Sequence, residues 1–472
     1  MPPAPSSTPS PSQEPLDPSS PAAPAVKTWK VGTLTYTSAG IVALFCWLLL
    51  GDFVWSMRER SIGPMTHWYL NHLNVPSVLF GLLLSSFPAA LGFVLMPIIS
   101  VKSDHHRGKW GRRIPFLLFT TPFAALGMIG LAFSPVLAKW VHSRFPEQSE
   151  MVVAVVCFGV FWAAFELATI IGGSVFGGLV NDVVPKELLG RFYGLFRAVS
   201  LIDGMIFNFW IIGKVPEHYM LIMGSVGVVY GVAFTWVCLK IKEGAYPPPP
   251  PRDATTQTAL QGFGRGSLKY FRECFSKPYY LSVFLMMSAS SLAFSPINVF
   301  AIPYARSLGV NMDTYGKCLA LTYLMSLCLS YFIGWLVDAF HPLRMAMAAL
   351  LGYAAVAAWG WFYATTPDRF LAAWVAHGVL SGCFFTSAAS LGQRLYPRQK
   401  FAQYASASAM VGAPCNMTLA PLMGLFIDQT GKIYQYTFLA GGLLALTGLT
   451  MALVVHRQFM KLGGPKGYVA PA

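Results

Sequence analysis

The chain has 472 residues, 55% of them hydrophobic and only 11% charged, with a mean hydropathy of +0.54. Soluble domains carry about 25% charged residues, so this composition excludes an ordinary soluble protein. The formal net charge of +14 does not point to a nucleic-acid partner, because membrane proteins gather Lys and Arg in their cytoplasmic loops.

Residues 1–26 are rich in Pro, Ser and Ala and hold no apolar run, so a disordered tail is expected up to residue 33. It lacks the basic and apolar regions of a signal peptide. Apolar runs then fall near 34–60, 76–101, 114–137, 151–180, 191–213 and 219–240, and after a gap near 278–304, 314–338, 345–366, 370–394, 402–427 and 434–456. Lipid offers the backbone no hydrogen-bond partners, so each run must be helical. The runs are continuous and not alternating, which disfavours a barrel. The expectation is an all-α membrane protein with twelve transmembrane helices in two parallel six-helix repeats, residues 34–240 and 278–456. A hydrophilic linker, 241–277, joins them, and 457–472 forms a second tail.

Lys and Arg concentrate in 101–113, 181–191 and 240–277, which puts both termini in the cytoplasm of a multi-pass cell-membrane protein (inner or plasma membrane). The linker holds five consecutive prolines, Pro247–Pro251, a stiff spacer. Leu268, Phe271, Phe275 and Tyr279 recur beyond it at helical spacing among basic residues, as in an interfacial helix. Of the eight cysteines, all but Cys274 lie in apolar runs and none forms a CxxC, so they read as small core residues.

Between the second and third runs lies Ser103-Asp104-His105-His106-Arg107-Gly108-Lys109-Trp110-Gly111-Arg112-Arg113-Ile114-Pro115-Phe116. A lone acid in so basic a turn adds nothing to topology. Asp104 can meet the positive end of a neighbouring helix, and Arg112 and Arg113 can pair with carboxylates on adjoining helices. Such contacts would form when the helix ends close and break when they open, so these residues are read as gating groups. Asp338, with Arg344 beyond, echoes this turn in the second half. Val184-Pro185 through Phe192 likewise has the spacing of Tyr396-Pro397 through Tyr404. Two parallel repeats imply a substrate site near the midplane, between the halves.

At these residues the chain resembles the major facilitator superfamily. The wording Ser103-Asp104 and Arg107-Gly108-Lys109-Trp110-Gly111-Arg112-Arg113-Ile114-Pro115-Phe116 is similar to that of the glycoside–pentoside–hexuronide cation symporters, which include melibiose permease and have the sucrose transporters as relatives. His105 and Ile114 depart from that pattern, where the family carries Arg. Gly51-Asp52-Phe53 resembles the family's first-span motif, and Arg197 matches its substrate-facing arginine. The resemblance implies sugar transport by alternating access, with the first, fourth, seventh and tenth spans lining the cavity. Melibiose permease carries two second-span aspartates that help hold sodium. Ser85–Pro97 has no carboxylate here, so proton coupling or plain facilitated transport is expected instead of sodium coupling.

Ionisable residues inside spans are costly and are functional candidates. Asp52, Glu166, Asn298 and His377 sit one on each of the four cavity-lining spans. Asp52 lies late in the first span and shares a helix face with Trp55, Ser56 and Glu59. The carboxylate can accept from sugar hydroxyls while the indole covers the apolar face of a pyranose; the alternative is an edge aromatic above a pore-mouth acid. Trp162, Phe165, Glu166, Thr169 and Gly173 form a similar face, with the family's acid expected near Gly173. Glu166 is either a proton carrier or the ion-pair partner of Arg197. The Arg197 guanidinium can fork onto two hydroxyls or a carboxylate, whereas Asp203 points elsewhere, as in a helix–helix contact. His377, Asn298 and Asn416 either face the substrate or join packed helices.

The substrate-binding set is therefore Asp52, Trp55, Trp162, Glu166, Arg197, Asn298 and His377, with Asp52 and Glu166 as proton-coupling groups. Asp104, Arg112, Arg113, Asp338 and Arg344 form the gating set. No nucleotide-binding glycine motif or catalytic constellation is present, and His105 and His106 do not converge as a metal pair. A monomeric secondary active transporter of a sugar or glycoside is expected, proton-coupled, with the lipid bilayer as its surroundings and without enzyme activity, cofactor or metal. Transport of another solute such as an organic anion, or nutrient sensing without transport, are the alternatives.

Overall fold

The computed structural model describes residues 28–246, 272–397 and 401–471. The proline spacer, Leu268 and Phe271 of the expected interfacial helix, and residues 1–27 of the tail lie outside the described residues. So do the side chains of Asp104 and Asp338.

A small hairpin, β1 (Trp29–Val31) paired antiparallel with β2 (Leu34–Tyr36), leads into α1 (Ser38–His72). Thr37 caps this helix by accepting from the Gly40 N–H at 3.2 Å. Then follow α2 (Ser77–Gly81), a π-helical turn (Leu82–Ser86) and α3 (Phe87–His105), which together form one crossing. The first half continues with α4 (Ile114–Arg144), α5 (Glu150–Val183), α6 (Lys186–Ile206) and α7 (Val215–Lys240). The second half holds α8 (Pro278–Leu292), α9 (Ser295–Ser307), α10 (Met312–Phe340) and α11 (Pro342–Tyr363). It ends with α12 (Pro367–Ala388), α13 (Leu391–Leu395), α14 (Phe401–Gln429), α15 (Tyr436–Lys461) and a final turn, α16 (Gly464–Gly467).

Eleven helical stretches among the described residues are long and apolar enough to cross a membrane. One of them, Glu187–Lys240, has 54 residues. At 1.5 Å per residue it would be about 80 Å long, far beyond a ~30 Å hydrocarbon core. It is broken by a 3-10 turn at Ile212–Lys214 and by the non-helical His218 just beyond, so it supplies two crossings and the expected twelve are present. The repeated X-Pro pairs do equivalent work. Val184 ends α5 at ψ 131° and Tyr396 ends α13 at ψ 155°, because proline pushes the residue before it out of the helical region.

The first crossing differs from its sequence expectation. The apolar run was placed to end near residue 60, but α1 continues to His72 with Pro64 inside it. Asp52 is therefore near mid-helix, not late in the span, and Arg58, Glu59 and Arg60 lie within the membrane. The broken hydropathy at Ser61–Pro64 masked the renewed apolar stretch Met65–Leu70. Proline is tolerated there because neighbouring helices support the freed backbone.

The face bearing Arg107–Arg113 is called here the basic face. Among the described residues, contacts joining the two halves run from mid-membrane to the opposite, far face. The Val78 N–H donates to Asp428 Oδ2 at 3.0 Å. Pro421 cannot donate to the Met417 carbonyl, and the Ser86 hydroxyl from the other half donates to it instead. Phe80 stacks on Phe300 with centroids 5.8 Å apart. Among the described residues, the molecule is thus sealed between the halves on the far face. Phe93, Val94, Met96 and Ile98 of α3 and Tyr331, Phe332 and Trp335 of α10 are exposed.

Candidate functional site

The middle of α1 carries two guanidiniums, and the fold gives each a different environment. Arg58 is 1% exposed. Its Nη1 donates to Thr169 Oγ1 on α5 at 3.2 Å. Its plane lies 4.0 Å from the Trp55 ring centroid and 5.0 Å from that of Tyr230. A guanidinium is planar and weakly hydrated, so it can stack where an ammonium would stay solvated. Glu166, one helical turn before Thr169, lies within electrostatic reach of Arg58, while Arg58 Nε has no hydrogen-bond partner. Trp55 itself stacks on Phe176 at 5.1 Å and packs over Gly172 and Gly173. The place where the family resemblance put an acid is therefore a glycine under the indole, and the carboxylate stands two turns away at Glu166.

Arg60 points toward α6 and α10. It donates from Nε and Nη2 to Ser200 Oγ at 3.3 and 2.9 Å. Its Nη1 reaches the Tyr323 hydroxyl of the other half at 3.5 Å, with the ring centroid 5.1 Å away. Asp203 is buried beside it, in electrostatic reach of both Asp52 and Arg60. Asp52 is also buried and feels the charge of Glu59. Each aspartate has one buried carboxylate oxygen, Oδ2, without a hydrogen-bond partner. Arg197 is exposed and lies in reach of Arg60 and Tyr323.

In the second half, His377 is 1% exposed. Its Nε2 is 3.1 Å from Asn298 Oδ1 and its Nδ1 is 3.1 Å from the Tyr353 hydroxyl. That hydroxyl is also 3.1 Å from the carbonyl of Ala293, at the break between α8 and α9. Trp374 stacks on the imidazole at 5.3 Å. This histidine is tied to α9 and α11, while Asn298 itself is exposed. Trp162 donates through Nε1 to the Leu83 carbonyl at 2.8 Å and is buried between Phe158 and Phe165.

The basic turn is built around two carboxylates. Asp182, near the end of α5, receives Arg112 through Nε at 2.9 Å and Nη2 at 2.6 Å, and Arg113 Nε at 3.1 Å. Arg113 Nη1 also donates to Ser103 Oγ at 2.6 Å. Glu243, just past α7, accepts from the backbone N–H groups of Arg112, Arg113 and Ile114 at 3.0, 2.8 and 2.7 Å. It thereby caps the start of α4, where the helix dipole favours negative charge. Tyr246 donates to the same carboxylate at 2.7 Å, and burial followed by that bond pushes its phenol above the ordinary value. Gly111 has φ +102°, and a Cβ there would sit 2.5 Å from the Glu243 carboxyl carbon, so only glycine fits this turn. In the second half, the exposed Arg344 lies within electrostatic reach of His341 and His456.

The fold thus brings Asp52, Trp55, Glu166 and Arg197 to the middle of the first half, and pairs Asn298 with His377 in the second. It leaves Trp162 in aromatic packing on the far-face side. Arg58, Arg60, Ser200 and Tyr323 were missed by sequence reasoning, while Thr169, named there on the Glu166 face, is the hydroxyl that meets Arg58. The available signal was the triplet Arg58-Glu59-Arg60 flanked by apolar residues on both sides.

The Major Facilitator Superfamily model matches residues 283–466. A mouse (Mus musculus) protein named "Membrane-associated transporter protein" is 23% identical over 239 residues, 49% of this chain and 43% of its own length. The human (Homo sapiens) protein of that name is 31% identical over 77 residues, 16% of this chain and 14% of its own length. The chain therefore spans less than half the length of the curated relatives it matches. Among solved structures, a bacterial homologue of the human lysosomal transporter Spinster, inward-facing and occupied, aligns over 93% of this chain and 100% of its own with TM-score 0.64 and 12% identity. A D-xylose–proton symporter aligns over 91% and 98% with TM-score 0.61 and 12% identity. A nucleoside transporter aligns over 88% and 99% with TM-score 0.60 and 11% identity. The chain is accordingly an all-α, multi-pass membrane protein of the major facilitator fold, whose residues 283–466 match the Major Facilitator Superfamily model.

Proposed function

We propose that the protein is a secondary active transporter of a neutral, polyhydroxylated solute, a saccharide or glycoside, driven by proton coupling. The observation that carries this reading is the charge balance at mid-membrane. Three guanidiniums, Arg58, Arg60 and Arg197, are set against four carboxylates, Asp52, Glu59, Glu166 and Asp203. A site for an organic anion would need an excess of positive charge, and with its carboxylates ionised this one has none. Carboxylates, hydroxyls and a half-buried indole are instead the donor, acceptor and stacking groups that a sugar ring uses. The buried oxygens of Asp52 and Asp203 without partners are places for a proton, and Glu166 beside Arg58 is a third. In this reading Arg197 and Asn298, both exposed, touch the solute, and His377 orients Asn298. The Asp182–Arg112–Arg113 and Glu243 contacts keep the basic-face ends of the first half together as a unit while the halves rock, with Asp104, Asp338 and Arg344 as the groups that engage when that face closes.

The test is uptake by the purified chain in proteoliposomes under an imposed pH gradient, with neutral sugars and carboxylates as competitors. Inhibition by neutral sugars and dependence on the gradient are expected. Competition by carboxylates alone, or uptake indifferent to pH, would overturn the substrate or the coupling part respectively.

A further inference from the structure

We propose that the groove between the start of α4 and the end of α7, on the outside of the first half, holds the headgroup of an anionic phospholipid. The groove has a volume of about 310 Å³ and is lined by Lys109, Trp110, Ile114, Leu118, Leu239 and Lys242. Its apolar wall faces outward: Trp110 is 64% exposed and Leu239 62% exposed. On a membrane-spanning helix such faces meet acyl chains, and tryptophan marks headgroup level. Lys109 and Lys242 are both exposed at the mouth, and Lys240, at the end of α7, lies over Trp236 at 5.8 Å.

One acid also borders the groove, and it does not cancel these lysines. Glu243 accepts from three backbone N–H groups and from the Tyr246 hydroxyl. Its charge is spent on the start of α4. The groove therefore presents ammonium groups above an apolar wall, the complement of a phosphate above an acyl chain. Basic pockets between membrane helices recognise anionic headgroups in this way. A soluble phosphate ester would use the lysines but leave the wall uncovered, so the occupant assigned is the lipid.

The experiment uses the full chain, purified in detergent with added phosphatidylglycerol or phosphatidylcholine, with bound lipid counted by native mass spectrometry. One tightly retained phosphatidylglycerol is expected, and not phosphatidylcholine. The variant Lys109→Gln with Lys242→Gln should bind it about thirty-fold more weakly, while Lys109→Arg with Lys242→Arg keeps it. The melting temperature without added lipid should not move in either variant, since both side chains are exposed. Equal retention of the two lipids, unchanged binding by the glutamine variant, or displacement of the lipid by glycerol phosphate at the same concentration would each overturn the assignment.

Discussion

The seam that closes the far face depends on two glycines that interlock. A Cβ built on Gly81 would lie 2.7 Å from the carbonyl carbon and oxygen of Ala420 and 2.8 Å from the nitrogen of Pro421. A Cβ on Gly424 would meet the backbone of Ser77 and Val78. The opposing atoms are main chain within helices, so they cannot swing aside as a flexible side chain would. Overpacking of this kind costs about 1–3 kcal/mol. The cost falls on the far-face-closed state alone, because the two helices belong to different halves and part when that face opens. Gly81→Ala should therefore shift the balance toward the far-face-open state by roughly 5- to 150-fold. The assay is the labelling rate of a single cysteine, Ser85→Cys, by an impermeant maleimide applied from the far face, in a background without the native cysteines. The rate should rise by that factor. Gly177→Ala serves as the control, since a Cβ there meets nothing within 4 Å. A Gly81→Ala protein that labels and melts like its parent would refute the idea that this seam holds the far face shut.

Other expectations follow from single contacts. Asp182→Asn removes the charge that two arginines share, so melting should fall by about 1–3 kcal/mol and uptake should drop with membrane insertion intact; an unchanged melting curve counts against the arrangement. Arg58→Lys keeps the charge but loses the stack on Trp55 and Tyr230. A cost of about 2 kcal/mol, read as lost uptake and a lower melting temperature, is expected, and full activity would show that the stack is dispensable. His341, in the turn between α10 and α11, is held neutral with a pKa lowered to about 4, first by burial and then by Arg394, Arg344 and His456. Its Nδ1 accepts from the Leu343 N–H at 3.3 Å, a bond that protonation removes. The folded value lies below the ordinary 6.5, so its contribution is complete above 6.5 and declines as pH falls toward 4, by up to about 1.4 kcal/mol per unit. Melting of His341→Asn should depend less steeply on pH between 7 and 5 than that of the parent, and parallel profiles would exclude the effect.

Hydropathy located most crossings because each must satisfy its own backbone in lipid, a requirement local to about twenty residues. The same locality explains the misplaced end of α1. Ser61–Pro64 interrupts the apolar run, and what lets the helix continue is packing by other helices, which a window along one segment does not contain. The basic turn was legible for a related reason. Its arginines needed carboxylates, and Asp182 and Glu243 are where neighbouring helix ends place them. Which carboxylates was a question of proximity over 70 and 131 residues of chain, and only the fold answers it.

The candidate site divides in the same way. Asp52, Glu166 and Arg197 stand out in sequence as charges within apolar runs. That Glu166 faces Arg58 and not Arg197 depends on how α1 is rotated against α5 and α6, since a helix presents several faces and its partner is chosen by packing. The sequence by itself therefore determined the class of the protein, the number of crossings, the doubling of a six-helix unit and the intramembrane charges Asp52, Glu166, Arg197 and Asp203, though not Arg58 and Arg60, because desolvation acts on each residue where it stands. The tertiary structure alone decided which charges meet, that one face is sealed by backbone contact at Gly81 and Gly424, and that Arg60 bridges to Tyr323 across the halves, because those are properties of distance between segments remote along the chain.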